Sequence, residues 1–240
     1  MSDVLSSAQS IIARALAGGE PACVTCSFQS EDVALVHLLL DQRPTIDVLF
    51  LDTGYHFAEV YEYRDRIAAQ LGIEVRNLIP AKTVPEQESQ FGILYQSDPS
   101  RCCHLRKVVP LMAGLGAYRT WFTGLRREQS PTRANLQPVE SHKFPNGLAL
   151  NKISPLFDWT MQDVEAYLAA HDIPRLPLYD AGYTSIGCQP CTAIPDPAEH
   201  ARSGRWGGRN AERRQASRIK PQTVISTFRR QIPSGKLTAV

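Results

Sequence analysis

Six cysteines fall in three close pairs, the arrangement that soft-metal chemistry requires. Cys102-Cys103 is vicinal, Cys188-Gln-Pro-Cys191 is a C-x-x-C unit, and 84 residues separate Cys103 from Cys188. Two such pairs of thiolates suit a tetrahedral zinc site or an iron–sulfur cluster, and spacing alone does not choose between them. A C-x-x-C unit by itself also serves thioredoxin-like redox chemistry. Two unrelated pairs of buried thiols are the bland alternative. The third pair, Cys23-Val-Thr-Cys26, lies on a strand-like run. Residues three apart on a strand face opposite sides, so these two read as small buried hydrophobes.

A second chemistry is anion binding. Thr25-Cys26-Ser27-Phe28-Gln29-Ser30-Glu31-Asp32 joins a strand to a helix N-terminus, where backbone N–H groups and the helix dipole favour an anion. It lacks the glycine spacing and the lysine of a Walker A loop. Thr123–Arg133 follows another strand and carries Arg126, Arg127 and Arg133, whose forked guanidinium groups suit phosphate or sulfate oxygens. Arg202 and Arg205 follow the C-x-x-C unit, and Lys107 lies one helical turn beyond Cys103. A solvated surface loop and an ordinary surface lysine are the competing readings.

The elements that must position these groups alternate. Strand-like runs are Pro21–Phe28, Thr45–Leu51, Ile73–Leu78, Tyr118–Thr123 and Leu148–Ile153. Between them lie helical periods over Glu31–Leu40, with Ser30 as N-cap, and over Phe57–Leu71, closed by Gly72. Further helices are expected over Met1–Gly19, Arg101–Leu115 and Thr160–Ala170, the last opened by a Thr160-x-x-Asp163 capping box. Alternation of this kind predicts an α/β fold with an open, mainly parallel sheet. Ligands in such sheets bind at the carboxyl ends of strands. Ser27–Asp32, Asp52–Tyr55 and Gly124–Arg133 are the loops at that edge.

The chain of 240 residues is 43% hydrophobic and 21% charged, with a formal net charge of +2. That balance makes no case for a nucleic-acid partner. Gly207–Val240 holds eight Lys/Arg and one acid, Glu212, which leaves 18 basic and 23 acidic residues before it. We therefore expect a basic tail at 207–240 behind a main domain at 1–206. Beyond Trp206 the only weak period is Thr223–Phe228. No secretory signal or membrane span is visible, so the expected location is the cytoplasm, where thiols stay reduced.

Together the motifs resemble the APS/PAPS reductase family of the PP-loop adenine-nucleotide-hydrolase-like fold. The matching segments are CSFQSED (26–32), FLDTGYHF (50–57), CCHLRKVVPL (102–111), WFTGLRREQSPTR (121–133), ISPLFDWT (153–160), PLYDAGYTSIGCQPCT (177–192) and ARSGRW (201–206). They occur in the family's order over most of the chain. The resemblance implies that Cys102, Cys103, Cys188 and Cys191 hold one [4Fe-4S] cluster, and that the substrate is adenylyl sulfate (APS), with AMP as product. It implies substrate-binding or loop-ordering roles for Ser27, Leu51, Thr53, Gly54, Lys107, Gly124, Arg126, Arg127, Arg202 and Arg205. The five cations among these are expected to converge on the phosphosulfate. The implied reaction is thioredoxin-dependent, or dependent on a similar dithiol, and belongs to sulfate assimilation; a homo-oligomer is compatible with it. Two alternatives stand beside this reading. One is a non-catalytic nucleotide- and iron–sulfur-binding relative, and the other is a different PP-loop sulfur-transfer enzyme, although the Ser-Gly-Gly-x-Asp-Ser pattern usual there is absent.

The C-terminal end departs from the family pattern. Its catalytic Glu-Cys-Gly-Leu-His stretch is missing, and the position of the nucleophilic cysteine falls, without gaps, at Ala216. No cysteine follows Cys191. Cys26, in the anion-facing loop, is the one substitute to consider.

Overall fold

A computed structural model describes residues 2–144, 147, 149–196, 198 and 202–206. The tail from 207, with Ala216 and the Thr223–Phe228 period, lies outside the described residues. The chain opens with α1 (Ser2–Leu16), then alternates β1 (Ala22–Thr25), α2 (Ser30–Gln42), β2 (Asp47–Leu51), α3 (Ala58–Leu71) and β3 (Val75–Leu78). Short helices α4 (Val84–Phe91), α5 (Leu94–Ser97) and α6 (Pro99–Cys103) follow. A π-helical turn over His104–Val108 joins α6 to α7 (Val109–Gly114), so the helix expected over Arg101–Leu115 exists but is interrupted. The chain then adds β4 (Thr120–Thr123), β5 (Val139–Lys143), β6 (Ala149–Ile153) and α8 (Met161–Ala170).

The strands form one sheet in the order β3-β2-β1-β4-β6-β5. All neighbours are parallel except the edge pair β5–β6, which is antiparallel. β5 escaped the sequence reading because its five residues, Val-Glu-Ser-His-Lys, carry one apolar side chain and are mostly exposed. The order reverses between β1 and β4, where crossovers leave in opposite directions and a crevice opens beyond the strand ends.

The sheet divides its side chains by alternation. Val24, Cys26, Val48, Phe50, Phe122 and Ile153 face the larger core, covered by α1, α2, α3 and α8. Cys23, Leu49, Leu78 and Leu150 face a smaller core with Leu115 and Tyr118. Ala8, Ile11 and Ile12 anchor α1, the amphipathic helix expected at the N-terminus. Each buried Ile or Leu contributes roughly 1.5–3 kcal/mol. Helix ends follow local chemistry. Gly72 closes α3 at φ 64°. Thr160 and Asp163 form the reciprocal capping box of α8. Ser30, by contrast, is the first residue of α2 rather than its cap; Gln29 precedes it and makes no side-chain capping bond.

Candidate active site

The crevice at the sheet reversal is bounded by the turn after β1 and the loop after β4. In the turn, Asp32 accepts hydrogen bonds from the Ser27 N–H (2.7 Å) and the Ser27 hydroxyl (2.6 Å). Gly124 comes so close from the other side that an added Cβ would overlap the Asp32 carboxylate and lie 3.2 Å from its backbone. No side chain fits there, which accounts for glycine at 124 without any substrate contact. Loss of hydration, with Glu31 alongside, pushes the Asp32 carboxyl up to about 6, against the hydrogen bonds from Ser27 and Gly124 that favour its charge.

That shift has a stability consequence. The folded value lies above the ordinary 3.8, so the stabilisation is full below about pH 4 and is lost as pH rises through about 6. Asp32→Asn is expected to flatten the wild-type decline between those limits, which amounts to on the order of 2–3 kcal/mol. Urea unfolding at a series of pH values measures it, and parallel curves for the two proteins would refute it.

The arginines divide. Arg126 is buried, and its guanidinium donates to Glu128 (2.7 Å) and to the Trp159 carbonyl (3.1 Å). Arg127 donates to Asp158 (2.9 Å) and the Leu136 carbonyl (3.0 Å) and stacks over Phe157. Both therefore clamp their loop, and Arg126 stays close enough for its charge to act on Arg133. Arg133, which was left out of the candidate set, is drawn in as well. It donates to Gln129, which itself donates to Glu31. Burial, and then the charge of Arg202, lower Arg133 to about 10. Arg202 is lowered chiefly by burial, with Glu31 opposing. Arg133 and Arg202 thus stand together beside the turn after β1.

The cysteines gather at a neighbouring pocket. Cys102, Cys103, Cys188 and Cys191 all line it, with Arg106, Lys107 and Arg205. Cys102 and Cys103 are consecutive on a helix, about 100° apart around its axis, so both can face the same pocket. Cys188 and Cys191 are held in a single turn, with the Cys191 N–H donating to the Cys188 carbonyl (2.9 Å). Burial first, and then the other three thiols, push Cys102 up to about 11. Among the described residues, no three His, Cys, Asp or Glu side chains are close enough to hold a single metal ion. Arg205 is buried and donates to Ser185 Oγ (3.3 Å) and the Ile186 carbonyl (2.8 Å). Burial and Arg202 lower it to about 10, while the thiols of Cys188, Cys103 and Cys191 oppose that shift. Its guanidinium lies against Gly187, where a Cβ would overlap it.

The loop after β2 joins the pocket to the sheet. Thr53 Oγ1 lies 3.3 Å from Cys188 Sγ, and the Gln189 N–H donates to the Tyr55 carbonyl (2.7 Å). The Gly54 N–H donates to Asp52 (3.0 Å), and the Leu51 carbonyl accepts from His56 Nε2 (2.8 Å). Arg106, not anticipated, is buried beneath this loop and donates to the Thr53 and Lys82 carbonyls and to Gln87. Its place in the CCHLRKVV run was the available signal. Cys26 is corrected as a substitute nucleophile. It is 2% exposed in the larger core, and burial keeps its thiol protonated. Cys23, in the smaller core, is likewise held protonated by burial.

Residues 21–194 match the phosphoadenosine phosphosulfate reductase domain. The chain is 46% identical over 193 residues to the adenosine 5'-phosphosulfate reductase of Streptomyces coelicolor, covering 80% of each protein. It is 48% identical over 179 residues to the enzyme of that name from Mycobacteroides abscessus, covering 74% of each. The fold is similar to the crystal structure of phosphoadenylyl-sulfate reductase from Candida auris in a phosphate complex, with TM-score 0.68 and 24% identity over 78% of this chain and 90% of that one.

Proposed function

The chain belongs to the phosphoadenosine phosphosulfate reductase family, and from that premise we propose that its site is that of an oxidoreductase of sulfate assimilation, built to take adenylyl sulfate to sulfite and AMP, with turnover impaired where the nucleophilic cysteine is replaced. The observation that carries the reading is the shared pocket of four thiols, lined by Lys107 and Arg205, whose Cys188 segment is bonded at Ile186 to Gln29 of the turn after β1. Relatives 46% and 48% identical carry the name adenosine 5'-phosphosulfate reductase. A helix N-terminus flanked by Arg133 and Arg202 suits the phosphate of an adenylyl group. Residues 1–206 would form the catalytic domain, in the cytoplasm, with thioredoxin or a similar dithiol as reductant.

The donor set, four cysteine thiols with no histidine or carboxylate among the described residues lining the pocket, fits an iron–sulfur cluster. The four thiols share one pocket and one electrostatic neighbourhood. Cys102, Cys103, Cys188 and Cys191 would hold the [4Fe-4S] group, which when bound supplies a redox-capable, polarisable anionic centre. Lys107 and Arg205 offset the charge of the thiolates. The N-terminus of α2 receives the phosphate, while Arg133 and Arg202 balance the charge that develops as AMP leaves. Thr53 and the backbone of Tyr55 fix the Cys188 turn against the strand edge.

Calorimetric titration of AMP or adenylyl sulfate tests the anion site. Arg202→Ala is expected to weaken binding by roughly 1.5–3 kcal/mol, the range for a charged hydrogen bond. Arg127→Ala, whose guanidinium is committed to Asp158, is expected to change it by less than about 0.5 kcal/mol. Equal effects from the two substitutions would refute the assignment. Alanine at the ungapped position of the family's nucleophile, 216, favours one second reading, a relative that binds nucleotide and cluster without turnover.

A further inference from the structure

Gln29 has no binding or chemical role in the reading above, yet its side chain touches both halves of the site. Its Nε2 donates to Ser27 Oγ (3.0 Å), and its Oε1 accepts from the Ile186 N–H (2.8 Å). Each contact continues further. Ser27 Oγ donates to Asp32, so one end is fixed to the turn that opens α2. The Ile186 carbonyl accepts from Arg205, so the other end is fixed to the buried guanidinium beside the thiols. Ile186 is two residues before Cys188 and is itself buried. The 26–29 backbone is shaped for this contact, since Phe28, 1% exposed and packed edge-on against Phe50, adopts φ 59°. A left-handed conformation is uncommon for a bulky residue and persists where its surroundings hold it.

We infer that Gln29 is a positioning residue that ties the nucleotide-binding turn to the segment carrying Cys188, so that occupancy of the turn is transmitted to residues 185–188. The inference rests on the nucleotide site proposed above. Its physical basis is a single amide that supplies one donor and one acceptor, of which no other bond between Ser27–Ser30 and Ser185–Cys188 among the described residues takes the place. Leucine matches the bulk and supplies neither. Glutamate keeps the acceptor for Ile186 but adds a third acid to a turn that already holds Glu31 and Asp32.

Amide hydrogen exchange of the full chain, with and without AMP, tests this without depending on turnover or on iron. In the wild-type protein AMP is expected to slow exchange at least threefold in both 27–30 and 185–188. In Gln29→Leu the slowing should persist at 27–30 and vanish at 185–188. Gln29→Glu keeps the acceptor for Ile186 but loses the donor to Ser27, so the slowing at 185–188 should fall at least twofold there even at saturating AMP. Undiminished protection of 185–188 in Gln29→Leu would overturn the link while leaving the nucleotide site intact. No protection of 27–30 in the wild type would overturn the functional reading, and the link with it. A leucine variant that unfolds leaves the decision to Gln29→Glu. An undiminished 185–188 response there, with 27–30 still protected, counts against the inference.

Discussion

Incubated with radiolabelled adenylyl sulfate and resolved without reductant, the 240-residue chain is expected to form no covalent sulfur adduct and to release sulfite at least about a thousandfold more slowly than an enzyme with the family's nucleophile. Covalent transfer requires a thiolate that attacks the substrate's sulfur, forming a sulfur–sulfur bond as the bond to AMP oxygen breaks. A second thiolate must then release sulfite and leave a disulfide. Ala216 stands at the ungapped position of the first thiolate, and no cysteine follows Cys191. The structure closes the alternative route, because Cys23 and Cys26 are 0% and 2% exposed, with their thiols kept protonated. The remaining four belong to the shared pocket. A stoichiometric adduct, or steady sulfite release with thioredoxin, would refute this expectation, and mass mapping of the adduct would then name the nucleophile.

Anaerobically reconstituted protein is expected to hold about four iron and four acid-labile sulfide per chain. Cys188→Ala is expected to lower both to below about one. Three remaining thiols leave a corner of the cluster open, and the lost Sγ is also the group that faces Thr53. Cys23→Ala, buried in the smaller core and outside the thiol pocket, is expected to leave the iron content unchanged, which separates loss of a ligand from general destabilisation. One zinc per chain without sulfide would refute the assignment, as would equal iron in both variants.

Much of the framework was legible because period and punctuation agree over it. The runs that became β1 to β4 are short, apolar and bounded by turn residues, and Gly72 and Thr160 mark helix ends by local chemistry. The opposite-face assignment of Cys23 and Cys26 followed from the pleat alone, and the two cores separate them. What was not legible depends on partners distant in the chain. The sequence shows Arg126 and Arg127 as charges for an anion, and only folding brings the Trp159 carbonyl and Asp158 to them. Arg133 sits in the same loop, but only folding places it beside Arg202. Arg106 and Gln29 lie inside recognisable motifs, yet their roles are set by carbonyl and amide groups 53 and 157 residues away. No local pattern encodes such distances.

The π-helical turn over His104–Val108 constrains how this region can change through insertions and deletions. It holds one more residue than a regular turn, and a π turn commonly marks such an insertion at a functional site. Removing one residue from the α-helical turns on either side, where no wide turn absorbs the change, would at about 100° per residue rotate everything on one side relative to the other. Arg106 would leave the Thr53 carbonyl, or Pro110 and Gly114 would turn from the sheet, where a Cβ at 114 already meets Leu78 at 2.7 Å. A surface loop absorbs a change in length as slack. Here length is phase, so residues 99–114 can vary in side chain far more freely than in number.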